Sequence, residues 1–123
     1  MSSFSVQKIL VLDDDKIQHL LLKKRFNLIS KQIDLTSFER ALEALDFLKS
    51  NSVDVVLTDL NLGGMDGWEF VDELEKINFN GRLFFLTGSI IPEDRRRAEG
   101  DPRITGFYEK PIAETDLIQI LNA

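Results

Sequence analysis

Apolar residues gather into five short runs, and four of them stop at a polar group. Lys8 to Leu12 reads as a first strand and ends on Asp13-Asp14-Asp15. Ile33 to Phe38 alternates as a second. Val53 to Leu57 is a third, closed by Thr58-Asp59. Arg82 to Leu86 is a fourth and ends on Thr87. Thr105 to Tyr108 is a fifth and leads through Glu109 to Lys110-Pro111. Helix-like segments lie between them. In Lys16 to Leu28, Ile17, Leu20, Leu21 and Lys24 recur at three-to-four spacing. Glu39 to Ser50 is amphipathic, with Leu42, Leu45, Phe47 and Leu48 on its apolar side. Asp66 to Ile77 carries Trp68, Val71, Leu74 and Ile77 on its core side, behind an Asp66-Gly67 cap. Thr115 to Leu121 closes the chain with Leu117, Ile118 and Leu121 available to pack. The segment Pro92 to Gly100 has a proline start signal, but Glu93-Asp94-Arg95-Arg96-Arg97-Ala98-Glu99 offers almost no apolar face. A short, loosely docked helix is expected there.

A strand–helix unit repeated five times implies a parallel sheet with helices on both faces. Such a sheet puts all strand C-termini on one edge, where ligands bind. That edge would gather the acids Asp13, Asp14 and Asp59, the Thr87 hydroxyl and the Lys110 ammonium. This set can hold a divalent cation and let a carboxylate attack a phosphoryl group.

Composition narrows the function. With 123 residues the chain suits one domain, taken as 1–123, and 43% hydrophobic and 29% charged residues are ordinary for a globular protein. A net charge of −6 argues against direct nucleic-acid binding. The absence of cysteine excludes a disulfide, a thiol nucleophile and a thiolate metal site. No signal-peptide pattern or membrane-spanning run is present, so a cytoplasmic location without membrane insertion is expected. The start at Met1 favours a stand-alone or N-terminal domain.

Each candidate residue also has a plainer reading. Clustered carboxylates repel unless a cation neutralises them, and hard oxygen donors suit Mg2+. Capping of the following helix explains Asp15, but the placement of Asp13 and Asp14 beside Asp59 favours a metal site. Asp59 opens a turn rich in Asn61, Gly63 and Gly64, which would form without an aspartate. Thr87 can end a strand or donate to a phosphoryl oxygen. Lys110 can be surface or a phosphoryl ligand. His19, the sole histidine, lies four residues after Asp15, and a surface pair with it is expected. Arg95-Arg96-Arg97 reads as a solvated face.

The set Asp13-Asp14, Asp59, Thr87 and Lys110-Pro111, in this order over Ile9 to the last helix, resembles the receiver domain of two-component response regulators. The turn after Asp59 is similar to that family's Asp-x-x-Met-Pro-x-Met-Asp-Gly. The resemblance implies a flavodoxin-like (βα)5 three-layer sandwich with strand order 2-1-3-4-5. It implies Asp59 as phosphoacceptor, and Thr87 and Lys110 as its catalytic neighbours. Mg2+ would be bound by Asp14, Asp59 and the backbone carbonyl of Asn61, with Asp13 acting through water or from behind the direct ligands. Thr87 and residue 107 would form the switch, and Lys110–Pro111 would be a cis peptide. The implied partners are a histidine kinase or histidine phosphotransfer protein, a downstream protein target and a weak homodimer. The domain would be no enzyme beyond catalysing its own phosphorylation and dephosphorylation, with Asn61 and Ser89 flanking the water's path.

The chain departs from the family pattern at three places. Leu62 and Gly63 replace Met-Pro, which makes the loop less stiff. Phe107 stands where tyrosine is common, and is expected to sit inward. The fourth helix is unusually polar. Three rival functions fit less well. A flavin nucleotide phosphate would be repelled by the acids after strand one. An aspartate-nucleophile phosphatase would place a carboxylate where Asn61 stands. A receiver-like module that is never phosphorylated would not need the full acid–threonine–lysine set.

Overall fold

A computed structural model describes residues 6–88 and 91–122. Its elements alternate in chain order: β1 (Gln7–Leu12), α1 (Lys16–Ile29), β2 (Ile33–Phe38), α2 (Ala41–Ser50), β3 (Val55–Thr58), α3 (Gly67–Lys76), β4 (Arg82–Thr87), α4 (Pro92–Glu99), β5 (Gly106–Glu109) and α5 (Glu114–Asn122). All paired strands are parallel, in the order β2-β1-β3-β4-β5, as the resemblance implied.

The three central strands are buried along most of their length because helices cover both faces of the sheet. The period-two alternation of β1 divides its side chains between two cores. Leu10 and Leu12 join Val56, Phe85, Trp68, Val71, Leu74 and Ala98 on the side of α2, α3 and α4. Ile9 and Val11 join Leu57, Phe84, Leu22, Phe26, Leu117 and Ile120 on the side of α1 and α5.

α1 turns differently from its apolar spacing, and α2 departs from its own at one position. Ile17, Leu20 and Leu21 of α1 are 66%, 70% and 48% exposed, and Leu22 and Phe26 are the buried pair. The helix carries two apolar stripes, and the sheet takes the second. In α2, Leu45 is buried and Phe47 and Leu48 pack against the core as expected, but Leu42 is 71% exposed, and Ala41 and Ala44 are buried instead.

α4 is short and polar as expected, yet its docking is specific. Ala98 is buried, the Arg97 guanidinium lies 4.0 Å from the centroid of the Trp68 ring, and that of Arg95 lies 5.0 Å from Phe107. These arginines cap the two ends of an aromatic row. Trp68 meets Phe85 edge-on at 4.8 Å, and Phe85 meets Phe107 at 6.2 Å. The run Arg95-Arg96-Arg97 is thus more than a solvated face. Beyond α4, Arg103 ties the chain to α3 through Asp72 and Glu75, both at 2.9 Å, and to Asp101 at 2.7 Å.

Candidate functional site

Three backbone hydrogen bonds carry the sheet one residue past its strand ends and align the site. Asp13 N–H donates to the Phe38 carbonyl at 3.0 Å, Asp59 N–H to Leu12 at 3.0 Å, and Lys110 N–H to Thr87 at 2.9 Å. Asp13, Asp59 and Thr87 are buried, and Asp14 is exposed at the rim. The Lys110 ammonium lies between the first two acids, donating to Asp13 Oδ2 at 2.5 Å and Asp59 Oδ2 at 2.9 Å. Burial pulls this ammonium's pKa down, but its hydrogen bonds to Asp13 and then Asp59, with their charges, more than offset that. The net shift is upward from 10.5. Lys110–Pro111 is cis.

The remaining oxygens are held by the local chain. Asp59 Oδ1 accepts from the Asn61 N–H at 3.1 Å, and Asp13 Oδ1 from the Asp15 N–H at 2.9 Å. Asp15 caps α1, its side chain accepting from Ile17 N–H at 2.9 Å. Asp66 caps α3 in a capping box with Glu69, as its place before Trp68 predicts. Phe107 is half-buried and packs against the core beneath α4. Ser89 lies outside the described residues.

One expectation is overturned. His19 does not pair with Asp15. Its Nε2 lies 2.7 Å from the backbone carbonyl oxygen of Asp13, and its Nδ1 is buried with no partner among the described residues. Spacing within a helix could not reveal this, because Asp13 precedes the helix and uses a main-chain atom. Gly67 is marked by its sequence context only as part of a cap. It also sets how closely α3 approaches the Asp59 loop: a Cβ there would lie 2.7 Å from the Asp59 carbonyl oxygen and 2.8 Å from Leu60 Cα.

The donor chemistry fits a hard divalent cation. Three carboxylates and one ammonium leave a local excess of two negative charges, all on oxygen. Among the described residues no three acidic or histidine side chains yet converge closely enough to chelate a metal. Asp13 has both oxygens occupied, which suits it to act through water. Asp14 is free to turn.

A five-stranded parallel sheet of this order, with helices on both faces, defines a flavodoxin-like α/β domain, here with acids, a threonine and a lysine on its carboxyl edge. The family model for the response regulator receiver domain matches residues 9–122, and the chain belongs to that family. It is a receiver domain of two-component signalling. The chain is 33% identical over 89 residues to the heme response regulator HssR of Staphylococcus epidermidis, covering 72% of this chain and 38% of that protein. It is 27% identical over 113 residues to the sensor histidine kinase RcsC of Salmonella typhi, covering 92% of this chain and 12% of that one. The chain therefore spans only a small part of these relatives. A two-component response regulator from Cytophaga hutchinsonii shares the fold, with TM-score 0.86, 21% identity and 96% of each chain covered. Among the described residues no helix is long and apolar enough to cross a membrane.

Proposed function

We propose that Asp59 accepts a phosphoryl group from the phosphohistidine of a histidine kinase or histidine phosphotransfer protein, and that phosphorylation changes which downstream protein the domain binds. The observation that carries this reading is the Lys110 ammonium held between Asp13 and Asp59 on the carboxyl edge of the sheet. An Asp59 carboxylate oxygen attacks phosphorus in line. The bond from phosphorus to the donor's imidazole nitrogen breaks, and its electron pair stays on the imidazole. Lys110 follows the charge onto the phosphoryl oxygens, and the Thr87 hydroxyl donates to one of them. Asp14, Asp59 and the Asn61 carbonyl would hold Mg2+, with Asp13 acting through water, and the bound ion adds positive charge beside those oxygens. Asn61 then flanks the water that hydrolyses the aspartyl phosphate. The domain works in the cytoplasm, acts on no other substrate, and forms at most a weak homodimer.

Intact-mass spectrometry with acetyl phosphate tests the assignment. One added phosphoryl group is expected on the wild type in Mg2+, and none after chelation or in Asp59→Ala. Equal labelling of Asp59→Ala would sink it.

The readout passes through the aromatic row. Drawing the Thr87 hydroxyl toward the phosphate opens space behind it, and any shift of Phe107 into that space unseats Arg95. An exposed cation–π contact contributes about 0.5–1 kcal/mol, so its loss should speed hydrogen exchange in α4 about two- to fivefold. Exchange measured with and without beryllofluoride should change between Gly88 and Phe107. Changes confined to α1 and α2 would refute this route.

A further inference from the structure

His19 makes a contact that the phosphoryl chemistry does not call for. Its Nε2 lies 2.7 Å from the Asp13 carbonyl oxygen. A carbonyl oxygen only accepts, so Nε2 carries the proton and donates. With this bond every polar atom of Asp13 is engaged. Its N–H donates to Phe38, Oδ1 accepts from Asp15 N–H, Oδ2 accepts from Lys110, and its carbonyl accepts from His19. Three of those partners are supplied by the turn, the neighbouring strand end and the lysine. The fourth is a side chain reaching back from α1 across the turn.

The carbonyl of Asp13 and the N–H of Asp14 belong to one planar peptide. Pinning the oxygen restrains that plane and so places the Asp14 Cα, while the side chain beyond it keeps its own rotations. Asp14 needs this, because its carboxylate is exposed and has no hydrogen-bond partner among the described residues.

From this we infer that His19 is a positioning residue: it holds the Asp13–Asp14 peptide so that Asp14, whose side chain is free to turn, starts from a backbone fixed beside the cation site. The inference rests on the Mg2+ site proposed above. Groups behind metal ligands commonly change affinity ten- to a hundredfold when removed. The indirect action through one peptide places His19 at the lower end of that range.

The test is Mg2+ titration of the full chain by calorimetry, using wild type, His19→Leu and His19→Gln, with a melting curve for each. Gln places a donor nitrogen near the position of Nε2, whereas Leu fills the space without one. His19→Leu should bind Mg2+ about tenfold more weakly while still melting cooperatively. His19→Gln should stay within about threefold of wild type, because it keeps the donor. The Asp14 amide resonance should broaden or shift in His19→Leu without Mg2+, and not in His19→Gln. A folded His19→Leu that binds as tightly as wild type overturns the positioning role. So does a folded His19→Gln that binds as weakly as the leucine variant. If wild type itself fails to bind Mg2+, the cation site is wrong and the inference falls with it.

Discussion

Lys110→Met is expected to lower the stability of the domain by about 3 kcal/mol at neutral pH, because removing one partner strands buried charge. The Asp13 and Asp59 side chains are only 4% and 9% exposed, and both put an oxygen on this one ammonium. Their other oxygens accept backbone N–H groups, which keeps the loss at the low end of the range for a broken buried pair. The variant also raises the excess negative charge of the cluster, so Mg2+ should stabilise Lys110→Met more than wild type. The pH dependence has a definite sign. The Lys110 pKa is raised in the folded state, so its contribution is complete below its unfolded value of 10.5 and is lost as pH rises through the folded value above that. Tyr108 is present in both proteins and cancels in the comparison. Urea unfolding of both should show a stability gap that is flat from about pH 7 to pH 9 and closes in strong alkali. A gap that widened above pH 10.5, or no gap at neutral pH, would show that the ammonium does not hold the two acids.

The sheet and the site were legible from the chain for one reason. In a parallel sheet buried on both faces, strands are short apolar runs, and whatever polar residue stops each run lands on a common edge. Asp13, Asp59, Thr87 and Lys110 needed no finer reading than that. Helix orientation was less legible. α1 carries Ile17, Leu20 and Leu21 on one side and Leu22, Phe26 and Ile29 on another, and periodicity alone does not choose between two apolar stripes. α4 looked unanchored because its anchors are arginines, whose planar heads stack on Trp68 and Phe107 while counting as charge in the sequence. His19 was misplaced because its partner is a main-chain oxygen outside the helix. Sequence context marks Gly67 as a capping residue, and only the packed fold shows what its missing side chain permits.

Gly67→Ala should be strongly destabilising and should also disturb the phosphoacceptor. As an exposed helix position this exchange would gain about 1 kcal/mol from propensity. Here the added methyl would stand 2.7 Å from the Asp59 carbonyl oxygen, 2.8 Å from Leu60 Cα and 3.1 Å from the Phe85 ring. The two nearest atoms are backbone, so they cannot rotate away as a flexible side chain would. α3 must move off the sheet, or the Asp59–Leu60 segment must shift. The first strains the Gly67 N–H bond to the Leu60 carbonyl, now 2.8 Å. The second displaces the carboxylate that Lys110 holds. Overpacking of this kind costs about 1–3 kcal/mol, and backbone atoms as the obstacle place the change at the upper end, so a melting point lower by roughly 10 °C is expected. Gly63→Ala is the control on the same loop, since a Cβ there would meet nothing within 4 Å. It should melt within about 2 °C of wild type. The two variants should also separate in phosphorylation by acetyl phosphate at a temperature where both are folded, with Gly67→Ala slower and Gly63→Ala little changed. If Gly67→Ala melts and labels like wild type, then α3 does not depend on this close approach, and Gly67 serves only as the first residue of its helix.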